Sequence, residues 1–278
     1  MKVYKTNSGI VIEQQGAYYL SPATDWNHFI NRDNLHQLLV SEILNNHTAV
    51  TLDWLNLQTI EAPVDQQEIW AAGVTYLRSR HARVEESKDS GGGTFYDKVY
   101  DAPRPEIFFK ATSQRTVGQN GLVRIRKDSS WDVPEPELTL FITSSGNIVG
   151  YTIGNDMSSR SIEGENPLYL PQAKMYDGCA ALGPCIYVPA NPISPDTTIE
   201  ISIERNDVVM FADRIAISQM KREHTDLVTY LYKECSFPNG CFLMTGTGIV
   251  PPNSFTLQSG DSIIITIENI GTLKNKVA

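Results

Sequence analysis

The sequence predicts a β-rich α+β fold, on three observations. From Ile107 onward the chain is dominated by short runs with strand alternation and β-branched residues. Only a few segments carry apolar residues at helical spacing. There is no sustained alternation of strand and helix, so a doubly wound nucleotide fold is not expected.

Along the chain, Val3–Tyr4 and Ile10–Val11–Ile12 read as short strands joined by a turn at Asn7–Ser8–Gly9. Asn34 to Asn45 places Leu35, Leu38, Leu39 and Ile43 on one helical face, with Asn45–Asn46 as a polar stop. Glu61–Ala62–Pro63 is the expected linker, dividing a small N-terminal domain (1–65) from a larger domain (66–278). The run Ile69–Val74 reads as buried, and Tyr76 to Ser87 as a charged helix. Lys88 to Tyr100, with Gly91–Gly92–Gly93, reads as a loop, since consecutive glycines cost entropy in a regular element. It is a candidate lid over a site and equally a solvated insertion. Leu138–Ile142, Ile148–Ile153, Thr198–Ile203 and Ser262–Ile267 read as strands, with hairpin turns at Ser144–Asn147 and Arg205–Asp207. Met220 to Tyr232 reads as the clearest late helix.

The formal charge of −9 argues against a nucleic-acid or anionic-membrane binder, either of which needs a basic face. No run approaches the apolar length of a membrane span, and the start shows no basic-then-apolar leader. Cys179, Cys185, Cys235 and Cys241 lack zinc-ligand spacing and read as free thiols, so the cytoplasm is the expected compartment.

The chemically informative stretch is Trp131–Asp–Val–Pro–Glu135–Pro–Glu137–Leu. Residues two apart in a strand share a face, so Glu135 and Glu137 point together. Pro136 has no N–H and belongs at an edge or strand entry. A hairpin through Ser145–Gly146–Asn147 returns Asp156 beside the glutamates. Three clustered carboxylates repel unless a cation or shared proton compensates, and hard oxygen donors suit Mg²⁺ or Mn²⁺, with Ca²⁺ as another candidate. Read alone, the pair also suits a solvated strand face, and Asp156 a turn. Lys174, in Gln172–Ala–Lys–Met–Tyr–Asp177, is either a proton carrier beside a metal or an exposed cation on a short helix.

Six ordered blocks give these residues a context: Pro105–Glu–Ile–Phe–Phe–Lys110, Glu135-x-Glu137-Leu, Gly150–Tyr-x-x-Gly–Asn–Asp156, Ala173–Lys174-x-x-Asp177, Leu182–Gly–Pro184 and Gly260–Asp261 with Gly271–Thr–Leu. Together they resemble the fumarylacetoacetate hydrolase superfamily over roughly residues 69 to 275. The stretches Gly73–Ser87, Trp131–Glu137, Met157–Asn166 and Thr245–Val250 resemble its 2-keto-3-deoxy-pentonate dehydratase branch.

The resemblance implies a rolled mixed β-sheet core and metal ligands at Glu135, Glu137 and Asp156. It implies a catalytic Lys174, with Glu106 as an accompanying carboxylate. Arg78, Arg80, Ser158, Ser159, Arg160 and Thr247 become candidate contacts to a small 2-oxo sugar acid. A homodimer or homotetramer is implied as well. The implied reaction is Mg²⁺-dependent loss of water through an electrostatically stabilised enolate, giving 2,5-dioxopentanoate. One departure bears on this. The family's C–C hydrolases carry a water-activating histidine three residues after the motif tyrosine. Here Tyr76 is followed at that distance by Ser79, and His81 lies about 200° further round a helix. Elimination is favoured over hydrolysis, with a hydrolase or decarboxylase of acylpyruvate-type acids as the alternative. A catalytically dead binding protein would be expected to lose one of the four key residues, and all four are present. Gly246–Thr–Gly248 lacks the third glycine and the strand–helix context of a nucleotide motif.

Overall fold

The computed structural model describes residues 1–45, 47–86 and 93–278. The N-terminal part supplies β1 (Lys2–Thr6), β2 (Gly9–Gln14), β3 (Ala17–Leu20), α1 (Trp26–Ile30), α2 (Leu35–Asn45), β4 (Thr48–Val50) and α3 (Leu52–Asn56). Then follow β5 (Glu68–Gly73), α4 (Leu77–Glu86), α5 (Gly93–Asp101), β6 (Glu106–Ala111), β7 (Thr116–Val117) and β8 (Leu122–Val123). The central hairpin is β9 (Asp132–Ile142) and β10 (Ile148–Ser159), followed by α6 (Arg160–Glu165), α7 (Leu170–Lys174) and β11 (Ala180–Tyr187). The chain closes with β12 (Thr198–Arg205), β13 (Val208–Ala216), α8 (His224–Leu231), β14 (Cys241–Met244), β15 (Ser262–Ile267) and β16 (Gly271–Val277).

Two mixed sheets result. The larger runs β4-β3-β2-β1-β11-β10-β9-β14-β5-β6, with β7 on β11; the smaller runs β13-β12-β15-β16-β8. The β-rich α+β expectation is met. The sheets close on an apolar core that includes Leu138, Leu140 and Ile153 from the hairpin and Ile199, Ile201, Ile263 and Ile265 from the smaller sheet. At about 25 cal/mol per Å² of apolar surface, such fully buried aliphatic side chains contribute roughly 1.5–3 kcal/mol each. β1 pairs antiparallel with β11 at Lys2–Tyr187 and Val3–Ile186, so the N-terminal strands extend the larger sheet.

Both expected hairpins form. Gly146 (φ 82°) turns β9 into β10, and Asn206 and Asp207, both at positive φ, turn β12 into β13. Pro136 sits where its missing N–H costs nothing. Thr245 N donates to Leu138 O, so Pro136 N faces the same side, beyond the end of the β14 ladder at Thr139–Met244.

Two expectations need correction. The late helix starts at His224, not Met220, because Met220 bridges to Tyr76 and Lys221 N donates to Thr75 O. The loop expected over Lys88–Tyr100 lies outside the described residues only at 88–92, and Gly93–Asp101 is helical. Apolar residues at 95, 96, 99 and 100 carry helical spacing that the glycines obscured. This helix is fastened by Arg80–Asp97, by Lys221–Asp101 and by Arg222 donating to the carbonyls of Val99, Ala102 and Pro103. A lid role for the segment between α4 and α5 falls outside the described residues.

Candidate metal centre and active site

The β9–β10 register places Asp156 directly opposite Glu135 and Gly154 opposite Glu137. Direct cross-strand partners share a face, and so do residues two apart. Glu135, Glu137 and Asp156 therefore converge, and one carboxylate oxygen from each lies within 4.8 Å of the other two. All three side chains are buried. Gly154, opposite Glu137, has no room for a side chain, since a Cβ there would stand 2.3 Å from Thr139 Oγ1 and 3.1 Å from Met244.

Lys174 enters from the end of α7 and is fully buried, not an exposed cation. Its Nζ donates to Glu135 Oε2 at 2.6 Å, Asp156 Oδ2 at 3.0 Å and Ser158 Oγ at 2.5 Å. Arg160 Nη2 donates to Glu135 Oε1 at 2.5 Å, and Gly246 N donates to Glu137 Oε2 at 2.6 Å.

Three charged residues that the sequence reading did not single out complete the cluster. Lys110 occupies a β-bulge where the β5–β6 register shifts, a device that re-aims a side chain. Its Nζ lies 2.6 Å from Asp156 Oδ1 and donates to Met157 O at 2.9 Å and to the main-chain carbonyl of Lys174. Arg83, from α4, pairs with Glu163 of α6, and Glu163 Oε1 stands 4.0 Å from Lys174 Nζ. Burial of these charges is tolerable only because each faces an opposite one. The available signal was charge inside an apolar strand (Glu-Ile-Phe-Phe-Lys) and the i,i+3 pair Arg160–Glu163.

The electrostatics divide the carboxylates. Burial raises Glu135, but Lys174, Arg160 and Arg83 outweigh it and hold the group below the usual range. Glu137 is pushed well up by burial first, then by the charges of Asp156 and Glu135. Glu106, on β6 opposite Gly73, is raised mainly by burial, and its Oε2 has no hydrogen-bond partner among the described residues. Three buried, hard oxygen donors, one of them pushed up by burial and by the charge of the other two, are a donor set that fits a divalent cation such as Mg²⁺.

The other candidates divide. Ser158 and Arg160 join the cluster, and Thr247 lies one residue beyond the Gly246 N–H, with its hydroxyl bonded to Ile249. Ser159 does not join: strand alternation puts it on the opposite face, bonded to Ser129 Oγ at 2.8 Å. Arg78 and Arg80 are also not brought to the carboxylates. Their guanidinium groups pair with Asp213 at 2.6 Å and Asp97 at 2.8 Å, and Arg83 is the α4 arginine that reaches inward. Ser79 is buried and bonded to Tyr76, while His81 is exposed on α4. The base needed to activate an attacking water is missing from that position.

Residues 68–278 match the family model described as fumarylacetoacetate (FAA) hydrolase C-terminal. The chain is 52% identical over 216 residues to a probable 2-keto-3-deoxyxylonate dehydratase of Haloferax volcanii, covering 77% of this chain and 73% of that protein. It is 45% identical over 218 residues to a 2-dehydro-3-deoxy-D-arabinonate dehydratase of Saccharolobus solfataricus, covering 77% and 72%. A solved 2-keto-3-deoxy-D-arabinonate dehydratase complexed with magnesium and 2,5-dioxopentanoate superposes with a TM-score of 0.83 at 34% identity, covering 100% of this chain and 98% of that one. With the family model spanning most of its length and the carboxylate hairpin in place, this chain belongs to the fumarylacetoacetate hydrolase family.

Proposed function

We propose that this protein is a Mg²⁺-dependent hydro-lyase that converts a 2-keto-3-deoxy-pentonate into 2,5-dioxopentanoate and water. The observation that carries the reading is the fully buried Lys174, whose Nζ bridges Glu135 and Asp156 beside a third carboxylate, in a site where Ser79 stands in place of the hydrolytic histidine. Identity of 45–52% to the two dehydratases supports the same chemistry.

Glu135, Glu137 and Asp156 would hold the cation. What a divalent ion supplies in such a site is polarisation of the substrate's 2-oxo group, which acidifies the proton on C3. Lys174 takes that proton, and Glu135, Asp156 and Ser158 are already arranged to accept from the resulting ammonium. A double bond forms between C3 and C4 as the C4–O bond breaks. Glu106, whose carboxyl is raised and whose Oε2 is unpartnered among the described residues, delivers the proton that lets the hydroxyl leave as water. The unsaturated alcohol that remains tautomerises to the aldehyde of 2,5-dioxopentanoate. Arg160 and Thr247 are positioned to orient the substrate's carboxylate and hydroxyls.

Residues 66–278 form the catalytic unit in this reading, with 1–65 as a small N-terminal domain. The cytoplasm is the compartment that suits four free cysteines. No described helix is long and apolar enough to cross a membrane. A homodimer or homotetramer is expected in solution.

The test is incubation with Mg²⁺ and each enantiomer of 2-keto-3-deoxy-pentonate, following 2,5-dioxopentanoate by NMR. Formation of that product from one enantiomer supports the reading. Release of pyruvate from an acylpyruvate, with both pentonates untouched, would assign the chain to C–C hydrolysis.

A further inference from the structure

We infer that the cavity behind Met220 is a second binding site, for a small neutral molecule with an apolar body and one hydroxyl, and that its occupancy is felt at the active-site turn Thr75–Tyr76. The cavity lies near the start of β10, toward the opposite end of that strand from Asp156.

Its volume is about 410 Å³, between the start of β10, the loop after β11 and the segment joining β13 to α8. Small-molecule sites fall in the range of about 300–1,000 Å³, with apolar walls and a few polar groups. Here Ile148, Tyr151, Ile193, Ile217 and Met220 supply the apolar walls. One polar group is left over. His224, the first residue of α8, lines the cavity, and its Nε2 is buried with no hydrogen-bond partner among the described residues. A buried nitrogen without a partner is costly, and the space its ring lines is where a partner fits.

The surroundings select a neutral partner. Burial pushes His224 down to about 4, so its ring is uncharged near pH 7. Arg222, on the same wall, spends its guanidinium on the main-chain carbonyls of Val99, Ala102 and Pro103. The Glu223 carboxylate at the rim opposes an anion, and apolar walls offer nothing to a desolvated charge. A neutral imidazole presents one donor and one acceptor, and a hydroxyl answers either.

The cavity wall is joined to the active site through hydrogen-bonded main chain. Met220 bridges to Tyr76, and Lys221 N donates to Thr75 O at 2.9 Å. Thr75 Oγ1 donates to Thr245 O at 2.7 Å, and the adjoining Gly246 N donates to Glu137 Oε2 at 2.6 Å. A molecule packed on Met220 therefore bears on a contiguous path that ends at a carboxylate of the cluster.

The test is NMR titration of the full-length protein with phenol and with toluene, which share a shape and differ by the hydroxyl. Both should bind saturably and move the ring signals of His224. The readout is the ratio of the two affinities, from which apolar effects common to both probes cancel. His224→Phe keeps a ring in place and removes the nitrogen, and should lower the preference for phenol by about 2–10-fold, the worth of one net hydrogen bond. His224→Leu reads the same property if the first variant does not fold. The amide signals of Thr75 and Gly246, outside the cavity, should move with the same Kd as that of Met220. A wild type that binds neither probe, or that saturates while the His224 ring signals stay fixed, overturns the site without any variant. An unchanged ratio in a folded variant overturns it as well. Shifts confined to the cavity lining overturn the link to the active-site turn. None of these results touches the hydro-lyase reading, which the product assay decides separately.

Discussion

Glu135 and Asp156 stand opposite each other across the β9–β10 hairpin and share Lys174 Nζ, at 2.6 and 3.0 Å. The cation site and the proton carrier are therefore built from the same pair of carboxylates. Metal binding and proton transfer can be separated by substitution, because Lys174 comes from α7 and not from the hairpin.

Replacing Lys174 by Met should leave Mg²⁺ binding intact while kcat falls by about 10²–10⁴, the usual share of a positioned acid–base group. Calorimetry on the apoprotein and steady-state kinetics read the two effects apart. A fully active variant removes Lys174 from the mechanism.

Glu137→Gln should weaken Mg²⁺ binding and abolish turnover together. Exhaustive chelation of the wild type should do the same, with activity restored by added Mg²⁺. Persistent activity after chelation would refute metal dependence.

Mg²⁺ binding should release protons and strengthen as pH rises. Glu137 is raised well above the ordinary carboxylate range by burial and by Asp156 and Glu135, so its proton competes with the cation. Glu135, held low, has already ionised and adds nothing to this dependence. The linkage gives roughly one proton released per ion at a pH where Glu137 is still protonated. Titration in two buffers of different ionisation enthalpy counts it, and identical apparent enthalpies would contradict the assignment.

Gly73→Ala should cost catalysis more than stability. A Cβ at Gly73 would lie 2.2 Å from Glu106 Oε2, the movable end of a side chain, so Glu106 must shift while the strand is kept. The expected result is a kcat loss of about tenfold or more for a displaced proton donor, with a melting temperature close to wild type. Large unfolding with normal specific activity would contradict it.

Arg83→Met leaves Glu163 without its closest cation in a buried setting. Breaking such a pair from one side costs about 3–5 kcal/mol, which denaturant unfolding would register. A change below about 1 kcal/mol would show that Arg160 and Lys174 compensate alone.

How much of this was legible in the residues follows from the physics of each feature. Strand alternation has a period of two, so the shared face of Glu135 and Glu137 and the return of Asp156 through the Gly146 turn could be read from local pattern. The tight turns were equally local, and the missing histidine after Tyr76 was legible only against the family resemblance. Ser159 could have been assigned to the far face by the same alternation that placed Ser158 on the near one.

Local pattern was enough for the β-rich framework and the carboxylate hairpin, whose strand alternation and tight turn depend on neighbouring residues, while the missing hydrolytic histidine was legible through the family resemblance. Apart from Lys174, which the resemblance placed there, the cations of the cluster were settled by long-range packing. Lys110 and Lys174 reach the carboxylates from β6 and α7, and Arg83 reaches the adjoining Glu163 from α4, although nothing in its own neighbourhood distinguishes Arg83 from Arg78 or Arg80, which pair with Asp213 and Asp97 instead. Long flexible cations find their partners through packing, a bulge and loop closure over tens of residues, and those are properties of the folded chain.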